Sequence, residues 1–429
     1  MSAITEVKGR MVLDSRGRPT VEVDVILDDG TLGRAIVPSG ASTGSREALE
    51  LRDGGGVFDG QGVDRAVTHV ETELADAVMG LDPEDQARVD ARLCRADGSP
   101  DKSRLGANAI LGVSMAACVA ASRSRGIPLF EHIASLASTS GDILPRPEIQ
   151  IIGGGAHAPG SLDIQDLMVV APHARDFREC LEITDRVFRE TGRRLKAKGK
   201  FCGCADEGGY WPAFASCEEA LEFLAVSVAS AGLKLGHDVV LSLDIAATEL
   251  RTEDGGYHFA SEGTTLDPAA WRQRLNRWIE AYGVRMLEDP FGEDDWESWA
   301  QLTREQGGRT IVIGDDLFTT NAASIRKGIL AGAGNAVLIK LNQIGTVSET
   351  LDAITLTRGA GWEPVVSARS GETEDVFIAH LAVGTNAGWL KVGSIQRSER
   401  TAKWNEVLRI AETLGDRARR APYSFDCAR

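Results

Sequence analysis

Six short apolar runs end on side chains able to do acid, base or metal chemistry. The run 'VVLSLDI' carries Asp244, 'VRMLEDP' Glu288, 'TIVIGDDL' Asp315, 'AVLIKLN' Lys340, 'EPVVSARS' Arg369 and 'WLKVGS' Lys391. Three carboxylates, with no histidine or cysteine in the set, make a hard-oxygen site of the kind that suits Mg2+. Beside them, Lys340 and Lys391 can balance the carboxylates, hold a substrate carboxylate, or take a proton if burial and a nearby cation lower the pKa. Arg369, followed by Ser370, supplies the planar fork that grips phosphoryl or carboxylate groups. Metal, base and anion grip together predict proton abstraction next to a carboxylate, with the metal offsetting the charge that develops.

These six residues span a long stretch of chain, so a fold must bring them together. Amphipathic stretches such as 'CEEALEFLAVSVASAG' and 'TVSETLDAITLTRGAG' lie between the runs. Buried strands alternating with helices predict parallel βα units. With two earlier candidates near 149–152 and 166–171, the runs suffice to close a barrel of about eight strands. The active site of such a barrel sits at the C-terminal strand ends, where all six side chains would meet. Ahead of it, 'TVEVDVILDDGTLGRAIV' alternates apolar and polar residues around Asp-Asp-Gly, a hairpin signal. Helical patterns follow from about 60 to 125 and include the buried run 'AILGVSMAACVAA'. The Ser-, Gly- and Pro-rich stretch 134–147 is the candidate boundary. The expected division is an N-terminal α+β domain over 1–135 and a barrel over 140–429.

Composition narrows the function classes. The chain has 429 residues, 43% of them hydrophobic, and a formal net charge of -16. Such an acidic chain is a poor nonspecific binder of nucleic acid or anionic membrane, and its substrate would be a small molecule. No apolar leader opens the sequence, and seven scattered cysteines suit a reducing compartment, so a cytoplasmic location is expected. Cys202 and Cys204 alone are too few ligands for a structural metal site.

An elimination also needs a proton donor for the leaving group. The stretch 'ADEGGYWP' offers Glu207, and 'GGGAHAPGSLDIQDLM' offers His157, Gln165 and Asp166. A histidine in a glycine-rich loop is more often structural. The loop 'VPSGASTGSREALE' has the glycines of a lid and a hydroxyl, Ser42, that closure would carry to a bound phosphate. The lysine pair Lys196 and Lys198 ends a basic helical stretch and reads as a solvated helix end.

The motifs 'LDSRGRPTVEVDV', 'VPSGASTG', 'EALELRDG', 'DEGG', 'LEDPFGEDDW', 'GDDL', 'IKLNQIGT', 'SARSGETED' and 'QRSERTAKWN' together resemble the enolase family along almost the whole chain. The resemblance implies a β3α4 domain followed by a modified (β/α)8 barrel, a homodimer or larger homo-oligomer, and Mg2+ dependence, with a second ion recruited with substrate. It implies reversible loss of water from a 2-phosphoglycerate-like acid. Carried over by position, Asp244, Glu288 and Asp315 hold the metal. Lys340 is the base at C2, and Lys391 holds the substrate carboxylate. Glu207 assists departure of the 3-hydroxyl beside His157 and Asp166. Arg369, Ser370 and Gln165 lie at the phosphoryl group, and Ser42 closes over it and reaches the second ion.

Departures from the family pattern cluster near the phosphate. Ala368 stands where the family has His, and Asp166 where it has Glu; Gly153, Ala156, Trp211 and Ala213 also differ, as does the more remote Arg18. These changes leave the metal and lysine positions intact while enlarging or re-polarising the pocket. They lead to the expectation of a retuned dehydratase of the carboxyphosphonoenolpyruvate synthase type, from phosphonate or phosphinate antibiotic biosynthesis, with Ala368 making room for an altered group on phosphorus. The alternatives are an ordinary glycolytic enolase and a non-catalytic enolase-like binding protein. A racemase or cycloisomerase would place its bases on other strands.

Overall fold

A computed structural model of the chain describes residues 2–40 and 44–423. Ser42, expected on a closing loop, lies outside the described residues. The N-terminal sheet is antiparallel in the order β1 (Ile4–Leu13), β2 (Pro19–Leu27), β3 (Leu32–Ile36). The predicted hairpin is present, and its turn places Gly30 at a φ of 83°, a left-handed angle that favours glycine. The middle strand is buried on both faces. Its apolar residues face the helices, while Glu22 and Asp24 on the other face are covered by Arg10 and Arg34, with Arg34 Nε 2.6 Å from Asp24.

Helices α1 (Asp64–His69) and α2 (Ala75–Val78), joined by a π turn, precede α3 (Gln86–Asp97), α4 (Ala107–Ser124) and α5 (Leu129–Ala137). Helix α4 is apolar nearly all round because it is the centre of this domain, enclosed by the sheet and the other helices. Gly33 makes the sheet contact possible: a Cβ there would sit 2.1 Å from the Ala116 carbonyl oxygen.

Eight strands then close a barrel: Arg146–Gly153, Asp166–Val170, Val240–Asp244, Val284–Glu288, Ile311–Gly314, Ala336–Ile339, Glu363–Ser367 and Trp389–Gly393, with the last pairing the first. The expectation of parallel units throughout needs one correction. Asp166–Val170 runs antiparallel to both of its neighbours. The connection before it holds only a short 3-10 turn, Gly155–His157, and no crossover helix. A parallel partner would need such a crossover, so the chain reverses instead. The reversal has a chemical result: this strand presents its first residue, Asp166, at the mouth where the other strands present their last.

The N-terminal domain sits against that mouth. Ser39 and Gly371 form a β-bridge, the Ser15 N–H donates to the Glu372 carbonyl, and the Ile36 N–H donates to Asp375 Oδ2 at 3.0 Å. Lys196 and Lys198 lie exposed at the end of the helix Phe177–Ala197, far from any role as a base pair. The six described cysteines are free, and no metal-capable cluster among the described residues includes Cys202 or Cys204. None of the helices among the described residues is long and apolar enough to cross a membrane.

Candidate active site

Strand register assembles the polar ends. Glu288 pairs Asp244 across one ladder, Asp166 pairs Asp244 across the next, and Ser367 pairs Lys391 on the far side. Side chains at one level of a barrel interior face each other. Lys391 Nζ therefore bridges Asp244 Oδ2 at 2.8 Å and Glu288 Oε2 at 2.6 Å, while Lys340 Nζ donates to Asp315 Oδ2 at 2.5 Å. His157, Gln165, Glu207, Asp244, Lys340, Ala368, Arg369, Ser370 and Lys391 line one small cavity.

Burial makes this an electrostatically loaded site. Burial and the adjacent Asp244 push Glu288 well above the usual carboxylate range. Asp244 is buried too, but Lys391 more than offsets this and holds it down to about 2. Burial opposes the charge on both lysines, yet the facing carboxylates raise Lys340 and lift Lys391 well above its ordinary value. Burial also raises Glu207, favouring its neutral form.

The chemistry of the donors suits Mg2+. Asp244, Glu288 and Asp315 are buried hard-oxygen groups, and Glu288 Oε1 has no hydrogen-bond partner among the described residues. Lys391 pairs with Asp244 and Glu288, and Lys340 with Asp315. Among the described residues the carboxylates gathered within one ion's reach are those of Asp289, Asp315 and Asp316, whereas Asp244 and Glu288 are joined through Lys391.

His157 Nδ1 lies 3.0 Å from Asp166 Oδ1, and its Nε2 lies 3.9 Å from Glu207 Oε1. Asp166 thus still reaches the histidine, and Gln150 Nε2 donates to the same oxygen. Burial disfavours a charged His157 ring, but Asp166 and Glu207 outweigh it and raise the pKa to about 9. The charged ring therefore stabilises the fold by ~3 kcal/mol below about pH 6.5, and this is lost as pH climbs through about 9. Thermal melts in chelator should show the stability margin of the wild type over His157→Gln shrinking across that window. A margin independent of pH would mean a neutral ring.

Several residues of the site escaped the sequence reading. Asp289 holds a φ of 41° and accepts from the backbone N–H groups of Asp315 and Asp316, both at 2.9 Å, which orients Asp315. Arg400, fully buried, donates to the carbonyls of Arg369, Ser370 and Val392. Glu47 pairs Arg369, and Gln343 donates to Asp315. Glu148 lies opposite Lys391 in the barrel, where burial pushes it up to about 7. The alternation of Glu148 and Gln150 on one strand was the available signal, since period-2 residues share the barrel interior.

Two family models match the chain. That described as "Enolase, N-terminal domain" covers residues 4–133, and "Enolase, C-terminal TIM barrel domain" covers 141–427. The chain is similar to "Enolase 1" of Desulfitobacterium hafniense (strain Y51), 51% identical over 418 residues, covering 97% of this chain and 95% of that protein. These matches overturn the expectation of a carboxyphosphonoenolpyruvate synthase-type enzyme with an altered group on phosphorus, and with it the antibiotic-biosynthesis assignment. The structure supplies the physical reason. The cavity that Ala368 lines has about 20 Å3 of room, enough for about one water molecule, so the missing imidazole has left no open space for a larger substituent. Ala368 itself is buried, its N–H bonded to the Lys391 carbonyl, and Gln150 shares the shortened Asp166 carboxylate with His157.

Proposed function

The chain belongs to the enolase family, and from that premise we propose that it is an ordinary enolase converting 2-phosphoglycerate to phosphoenolpyruvate and water. As a member, it is a Mg2+-dependent hydro-lyase acting on a small anionic phosphorylated substrate, so the non-catalytic binding reading does not stand. The observation that carries the finer reading is the meeting of Lys340, Lys391, Glu207 and Arg369 around one small buried cavity.

In this reading Asp244, Glu288 and Asp315 would hold the metal, which when bound would supply electrostatic stabilisation for negative charge on the substrate carboxylate. Lys391 is the cation aimed at that carboxylate. Lys340 takes the C2 proton, which requires its neutral form. Burial and the nearby Arg369 and Lys391 favour that form, whereas Asp315 favours the charged one. Glu207, its neutral form favoured by burial, gives a proton to the departing 3-hydroxyl, and His157 stands behind it. Arg369, Ser370 and Gln165 orient the phosphoryl group, and enclosure of the cavity excludes bulk water. Ser42 is assigned to the same group and to the second ion by family position alone.

The test is direct: purified protein with Mg2+ and 2-phosphoglycerate, followed by ultraviolet absorbance of the enol product. The expected turnover is in the ordinary enzyme range of ~1–10³ s⁻¹. Silence with substrate and metal both saturating would overturn the assignment. The expected assembly remains a homodimer or larger homo-oligomer, to be checked by sedimentation against the 45.9 kDa chain mass.

A further inference from the structure

Gln343 is buried between two parts of the site that the mechanism treats separately. Its amide carries two N–H donors, and they serve two different carboxylates: Nε2 lies 2.8 Å from Asp315 Oδ1 and 3.3 Å from Glu47 Oε1. Its Oε1 accepts from the Thr320 hydroxyl at 2.8 Å, and that hydroxyl accepts in turn from the Lys340 N–H at 2.9 Å. The amide is therefore held at three corners, with little freedom to serve one carboxylate without disturbing the other. The Gln343 carbonyl also accepts from the Ala48 N–H at 2.8 Å, next to Glu47.

Glu47 completes the connection. Its two oxygens accept from Arg369 Nη1 at 3.0 Å and Nη2 at 3.2 Å, a bidentate fork, and Oε1 also accepts from the Gly44 N–H at 3.1 Å. Arg369 Nη1 further donates to Asn342 Oδ1 at 3.0 Å. A phosphoryl anion arriving at Arg369 must share this fork with Glu47 or displace it. Either way Glu47 loses part of its cation, and its charge draws more strongly on the Gln343 amide. Asp315 Oδ1 then loses hold of its N–H donor and becomes a better oxygen for a cation. Polar chains in a low-dielectric interior transmit such changes because each bond polarises the next.

We propose that Gln343 couples the Arg369 anion site to the Asp315 metal site, so that occupation of either strengthens binding at the other. The inference rests on the metal and phosphoryl roles proposed above and adds a positioning residue that joins them. Such a coupling is reciprocal: the factor by which phosphate tightens Mg2+ equals the factor by which Mg2+ tightens phosphate.

Calorimetric titration of the full chain with Mg2+, alone and in saturating inorganic phosphate at corrected free Mg2+, reads this factor without catalysis. Direct attraction between the two bound ions is common to every variant, so the share carried by Gln343 is a difference. The affinity ratio in the wild type should exceed that in Gln343→Met by about 5-fold or more. Glu47→Gln should lower it similarly, and it decides the matter if Gln343→Met does not fold. Ratios equal to the wild type within about twofold in the folded variants would overturn the coupling while leaving the site assignment intact. Absence of Mg2+ binding by the wild type would instead overturn the metal site, and the coupling with it.

Discussion

Lys340→Met should lower turnover of 2-phosphoglycerate by about 10²–10⁴-fold, the usual contribution of a positioned general base. Methionine keeps the length and apolar stem while removing the nitrogen that contacts Asp315 Oδ2. Mg2+ binding should survive or tighten, because Lys340 Nζ and a cation compete for that same oxygen. Loss of catalysis with retained metal affinity separates a base from a structural residue. Exchange of the substrate C2 proton with solvent deuterium gives a second readout. It should vanish in Lys340→Met and persist in Glu207→Gln, where proton abstraction remains but the hydroxyl has lost its donor. Exchange retained in Lys340→Met would assign the base elsewhere, and the proposed mechanism would fail at its first step.

Glu288→Gln should abolish the response to Mg2+ and lower turnover by about 10²–10³-fold or more, as expected when electrostatic stabilisation of developing charge is lost. Glu288 is fully buried, and its Oε1 has no hydrogen-bond partner among the described residues. A buried carboxylate oxygen left open is costly unless a ligand claims it. The amide is nearly isosteric, so packing is preserved while one negative charge is removed beside Asp244. In the wild type, Mg2+ at a hundredfold excess over its Kd should stabilise the fold by ~2.7 kcal/mol, visible as a rise in Tm. That rise should disappear in Glu288→Gln and on addition of chelator to the wild type. A variant still protected by Mg2+ would show that Asp289, Asp315 and Asp316 hold the ion without Glu288.

Much of this site could be read from the chain before folding was considered. Apolar runs that carry Asp244, Glu288, Asp315, Lys340 and Lys391 at or near their C-terminal ends declare themselves, because an apolar run must be buried and its polar end must lie near a rim. Barrel topology then leaves one rim for all of them. The weak point was inference from single substitutions. Ala368 in place of His predicts a larger pocket only if nothing else moves in, and vacancy is a property of packing. In the folded chain Ala368 lies among buried residues, and Gln150, from another strand, attends Asp166. No local pattern around position 368 or 166 announces either fact.

By itself, the sequence determined the donor chemistry, the hard-oxygen metal and the order of strands and helices, since these follow from residue type and from periods of two and 3.6. Tertiary structure alone decided which groups are paired. The antiparallel strand that turns Asp166 toward the mouth, the pairing of Lys391 with Asp244 and Glu288, and Gln343 between Asp315 and Glu47 depend on contacts between segments remote along the chain. Charge state follows the same division. Residue type sets the ordinary pKa, but burial and the nearest opposite charge set the actual one, and both exist only in the folded chain.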